Sequence, residues 1–282
     1  MSNSNLANRR IQGDEPLIVF IGPRNCGKSM VLMSLVEHLR GKGYTVNANM
    51  NYIPGDSSYK QKCMKFTETL RNNAAITRDY KKGLDGSVDE LLVDVRLGTN
   101  GDLKFRMLEA PGEHFFSLNN PDKDYARYLE NIISNKRLGK FPVYFVMLLV
   151  DNDNTDSGTG VELNEGIRSA YESRLIEFFE NGYDHSRGDK IVLLYNKIDL
   201  VPNKNQTLKN ILRDDYAFLK NKLRRTVFVF FKVPVYNGVQ PYKTGAWTSV
   251  EEHNGEVVWH YQIDKESKRY AEDLFNTLIS KF

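Results

Sequence analysis

The sequence predicts an α/β fold, a three-layer arrangement in which helices cover a mostly parallel sheet. Three observations carry that expectation. Apolar runs of strand length alternate with longer segments of helical periodicity. A glycine-bounded loop, Gly22-Pro23-Arg24-Asn25-Cys26-Gly27-Lys28-Ser29, joins the first strand to the first helix. Two further polar motifs each follow directly on a strand, at the edge of the sheet where ligands of such folds sit.

The elements follow in order. Residues 1–14, rich in Asn and Ser, read as a flexible lead-in. Residues 17–21 form strand one. The helix after the loop carries Val31, Leu32, Leu35, Val36 and Leu39 on one face and stops at Gly41 and Gly43. Residues 44–52 read as a short strand, Pro54-Gly55 as a turn, and Asp56 or Ser57 as the cap of a helix over roughly 59–73. A polar, lysine-containing connection spans 77–87. Residues 91–97 and 103–108 are strands around Gly98-Thr99-Asn100-Gly101, a hairpin signal that makes them antiparallel and supplies one antiparallel edge. A helix over 122–135, a very apolar strand over 142–150, a helix over 161–181, a strand over 190–195, a helix over 206–225 and a buried strand over 227–233 complete the alternation. A late hairpin over 247–251 and 257–262 precedes an amphipathic helix over 265–280, with Tyr270, Leu274, Phe275 and Leu278 inward. The expected units are thus 1–14, a nucleotide domain with insertions over 15–240, and a hairpin and helix over 241–282 packed on it.

Composition limits the setting. The 282 residues are 40% apolar and 27% charged, as in a globular chain with a sizeable core. A net charge of +3 gives no argument for nucleic acid or a membrane surface. The cluster Lys220, Lys222, Arg224 and Arg225 reads as a solvated helix face. Two cysteines, Cys26 and Cys63, offer no disulfide framework and fit a reducing cytoplasm. Residues 1–8 lack the apolar core of a signal peptide, the run 143–150 is too short to span a bilayer, and neither end carries a lipidation motif. The expectation is a cytoplasmic protein with no membrane anchor and no nucleic-acid partner.

The glycine loop has a definite chemistry. Successive backbone N–H groups and the start of a helix make a concave anion site, formed here by Gly22, Arg24, Asn25, Cys26, Gly27, Lys28, Ser29 and Met30. Gly22 and Gly27 allow the tight path, Lys28 supplies a point charge for outer phosphates, and the Ser29 hydroxyl suits Mg²⁺. A chance glycine loop is the alternative, but the flanking strand and helix are the context a phosphate loop requires. The pattern implies a nucleoside phosphate.

Together with Asn196-Lys197-Ile198-Asp199, which follows the strand over 190–195, this arrangement resembles the Ras-like, translation-factor-related class of P-loop GTPases. Bacterial GTPases of the double-GTPase kind are candidate nearer relatives. The resemblance spans roughly 15–240 and implies GTP or GDP as ligand with Mg²⁺, hydrolysis of GTP, and a protein effector or regulator as partner. In the second motif a carboxylate at Asp199 accepts from guanine N1–H and the exocyclic amine, which adenine cannot match; Asn196 braces the site and the Lys197 stem covers the ring. The bland alternative is a strand-to-helix turn. The resemblance places Glu109 where the family has an Asp that holds the metal through water, and Gly112 where an N–H meets the γ-phosphate. It assigns Lys28, Gly112 and Glu113 to catalysis. Glu113 stands at the position of the water-orienting Gln, with His114 its alternative; both also read as plain loop residues.

Several positions depart from the family. Its metal-binding threonine falls on Thr77 or on Ser87, and its last base-binding loop would fall in 233–238, where Pro234 has no N–H to give. The intervals from Lys28 to Glu109 and from Gly112 to Asn196 carry insertions. Asn25 occupies a position used by K⁺-stimulated members to ligate the ion, or simply fits the turn. Arg24 reads as solvated or as a charge supplied in cis, and Cys26 as a packing residue or as a reactive thiol. Asp151, Asp153, Thr155, Ser157, Thr159 and Glu162 mimic EF-hand spacing, but Asp156 replaces the required Gly and a strand leads in.

Overall fold

The computed structural model describes residues 15–22, 28–71, 76–77, 91–97, 104–109, 143–149, 190–196, 227–230, 247–253, 256–261 and 265–279. The helices expected over 122–135, 161–181 and 206–225 lie outside them. The strands are β1 (Leu17–Ile21), β2 (Tyr44–Ala48), β3 (Ile76–Thr77), β4 (Leu91–Leu97), β5 (Lys104–Glu109), β6 (Val143–Leu149), β7 (Lys190–Tyr195), β8 (Val227–Phe230), β9 (Trp247–His253) and β10 (Glu256–Tyr261). The helices are α1 (Lys28–Gly41), α2 (Ser57–Arg71) and α3 (Lys265–Ile279). Among the described residues no helix is long and apolar enough to cross a membrane.

Seven strands form one mixed sheet in the order β2-β4-β5-β1-β6-β7-β8. β1 pairs in parallel with β5 and β6, and β6-β7 and β7-β8 are also parallel. β4 runs antiparallel to both β5 and β2. The α/β character and the β4-β5 hairpin pairing agree with the sequence reading. One detail is corrected: the antiparallel strand is not the edge. β2 pairs along the outer side of β4, from Tyr44↔Leu97 to Ala48↔Val93, so the row of backbone groups that β4 would have exposed is used. A second sheet, β3-β10-β9, is antiparallel and joins the late hairpin to two residues from the long connection after α2.

All five side chains of β1 are buried, so both of its faces are covered, as expected of a central parallel strand. Helix α1 packs on β1, β2 and β5 and against α3. Its Val31, Leu32, Leu35, Val36 and Leu39 are buried, and so are Ala271, Leu274, Phe275 and Leu278 of α3. The spacing of these residues is what made both helices legible. After α1 the Gly43 N–H bonds to the Arg40 carbonyl at 3.0 Å with φ of +86°, a left-handed exit that glycine adopts without strain. The start of α2 is capped by Asp56, whose Oδ1 accepts the Tyr59 N–H at 2.9 Å. The Tyr59 hydroxyl donates to the Asn49 carbonyl at 2.8 Å, tying α2 to the end of β2.

Candidate functional site

Three strands deliver the site residues to one rim. Gly22 follows the last residue of β1, Glu109 is the last residue of β5, and Asn196 follows the last residue of β7. β1, β5 and β7 run the same way, so their carboxyl ends share an edge of the sheet. Helix α1 starts on Lys28 and Ser29, so both lie in its first turn, where unpaired backbone N–H groups and the helix dipole favour an anion.

The described side chains there are buried: Lys28 is 5% exposed, Ser29 8%, Glu109 3% and Asn196 1%. The Lys28 Nζ donates to the Gly22 carbonyl at 2.9 Å, which holds the ammonium beside the end of β1. The Ser29 hydroxyl donates to the Glu109 carboxylate, a contact between residues 80 apart in sequence. Register fixes Glu109 from both sides, opposite Phe20 on β1 and opposite Leu91 on β4. Lower on β5, the Arg106 guanidinium bridges Asp94 on β4 and Glu15 before β1, each at 3.1 Å, which clamps the three chains together.

The chemistry of this arrangement is specific. The Lys28 ammonium, buried and donating to a backbone carbonyl, is a cation of the kind that takes an anionic oxygen. The hydroxyl and carboxylate are hard oxygen donors, the set a small divalent cation takes. Mg²⁺, which keeps several waters and takes phosphate oxygens beside one or two protein ligands, is a cation such donors fit.

The structure brings together Gly22, Lys28, Ser29 and Glu109 and sets Asn196 on the same edge. Met30 is in α1, its side chain outside the described set. Arg24, Asn25, Cys26, Gly27, Gly112, Glu113, Lys197 and Asp199 lie outside the described residues, as do His114 and Ser87. Thr77, expected as a metal ligand, is placed in β3 opposite His260 in the second sheet, not on a strand whose end carries the site. What the sequence reading missed is the acceptor role of the Gly22 carbonyl, which no side-chain pattern reports. It also missed His38, which sits near the end of α1 against α3; its place three residues after inward Leu35 was the available signal.

No family model matches the chain, and no curated protein does. Among solved structures it is similar to a bacterial selenocysteine-specific elongation factor, at 16% identity and a TM-score of 0.32. That similarity covers 78% of this chain and 26% of the factor's.

Proposed function

We propose that this chain is a Ras-like P-loop GTPase that binds GTP with Mg²⁺, hydrolyses it to GDP and phosphate, and works as a nucleotide-dependent switch read by a protein partner. The observation that supports this best is the convergence of Lys28 on the Gly22 carbonyl with the Ser29–Glu109 pair, at the carboxyl ends of β1 and β5. Lys28 would leave Gly22 for the β- and γ-phosphates, and the loop amides from Gly22 to Met30 would cradle them. Ser29 and Glu109 would hold Mg²⁺, which when bound offsets charge on the phosphates. Asn196, Lys197 and Asp199 would read guanine, the Gly112 amide would meet the γ-phosphate, and Glu113 would orient the attacking water. Asn25 gives K⁺ a place in the same proposal.

A second reading is a nucleotide-stabilised scaffold with little turnover. Glu109 in place of the shorter Asp, and a carboxylate at Glu113 where the family has Gln, favour it. Calorimetry with GDP and GTP in Mg²⁺, followed by turnover with and without K⁺, separates the two. Lys28→Ala abolishes nucleotide binding on both readings, whereas wild-type turnover no faster than that variant's leaves only the scaffold. Asp199→Asn should remove the preference for GTP over ATP; an unchanged preference means the base is read elsewhere.

A further inference from the structure

The seam between α1 and α3 holds a titratable group with no role in the site. His38 stands in the last turn of α1 with its ring 5.4 Å from that of Phe275, and Tyr44 of β2 meets Phe275 edge-on at 5.6 Å. Phe275 is buried, and the His38 Nε2 is a buried nitrogen with no hydrogen-bond partner among the described residues. A neutral imidazole tolerates this apolar setting; an imidazolium brings a second N–H donor and a charge into it.

Among the described residues the charges around it are few. From α3, Glu272 favours the protonated ring, but its carboxylate is occupied by the Lys42 ammonium at 3.1 Å, and Lys42 itself opposes the proton. On α1, Glu37 and Arg40 pair with each other at 3.8 Å. β1 offers only apolar side chains, β2 offers Tyr44, and on β5 Arg106 is engaged by Asp94 and Glu15 while Glu109 meets Ser29. Ser29 lies nine residues before His38, about 13 Å along the helix. Burial is the largest influence and holds the His38 pKa below its ordinary 6.5.

We propose that His38 makes the docking of α3 on α1 a proton-sensitive latch, so that a proton at the end of α1 and a nucleotide at its start compete. The part concerning nucleotide rests on the function proposed above. The sign follows from linkage. The folded chain binds this proton less tightly than the unfolded one, so the stability it contributes is complete above 6.5 and is lost as pH falls through and below it. By reciprocity, nucleotide that requires a docked α1 is released on protonation.

The test compares the full-length wild type with His38→Leu between pH 7.5 and 5.5, reading thermal midpoint and GDP affinity in Mg²⁺. The wild type should lose more thermal stability than the variant, and its GDP affinity should weaken about threefold more over that interval. The variant subtracts the titration of carboxylates and of the nucleotide. Parallel midpoints overturn the latch. Diverging midpoints with parallel affinities overturn its link to nucleotide. Absence of GDP binding even at pH 7.5 overturns that link together with the proposed function, while the midpoints still decide the latch. Should His38→Leu fail to fold, His38→Gln carries the same comparison.

Discussion

The contact between Ser29 and Glu109 is the one most open to a quantitative test. Ser29→Ala removes a hydroxyl with almost no change of volume, and Glu109→Met keeps a chain of similar length while removing the charge. Both sites are buried, so the hydrogen bond to the Glu109 carboxylate is made away from water. Such bonds contribute about 1.5–3 kcal/mol, and the coupling measured by a double-mutant cycle should fall in that range. At about 1.4 kcal/mol per factor of ten, this is roughly a 12- to 140-fold effect on the unfolding equilibrium. Urea denaturation of the metal-free wild type, both single variants and the double variant gives the number directly. A second reading of the same variants is nucleotide affinity in Mg²⁺, which Ser29→Ala should weaken by about 10- to 100-fold or more. Additive stabilities, with a coupling under about 0.5 kcal/mol, would refute the pairing of β5 with the start of α1 at this point.

Two further predictions test the frame that holds the site. Phe275→Ala should cost about 3 kcal/mol and lower the thermal midpoint by roughly 6–10 °C, since it empties a buried ring site between His38 and Tyr44; a loss under about 1 kcal/mol would mean that α3 does not pack there. Asp56→Ala should lower stability by about 1 kcal/mol through the lost cap on the Tyr59 N–H, with Asp56→Asn restoring most of it, as urea titration would show.

Much of the site was legible because each motif is local. Gly22 and Lys28 could be placed at the two ends of the β1-to-α1 connection, and Glu109 and Asn196 at strand ends because the runs before them have strand length and strand patterning. The boundaries of β7 and α3 were equally clear: one is an uninterrupted apolar run, the other an amphipathic helix with a regular inward face. Asp56 was one of two candidate caps, and the choice between it and Ser57 needed the observed N–H to carboxylate contact.

What the sequence determined by itself is therefore what is set within neighbouring strands or one helical face: the alternation of strands and helices, the antiparallel pairing of β4 with β5, the inward residues of α1, and Leu274, Phe275 and Leu278 of α3. The tertiary structure alone decided which elements become neighbours. It placed β2 outside β4, joined Ile76–Thr77 to β10 in the second sheet, set α3 beside α1, and brought Ser29 to Glu109. The physical reason is that sheet pairing and helix docking are non-local. Residues far apart in the chain meet only when backbone groups and apolar faces across the whole domain are satisfied together, and no short stretch encodes that condition.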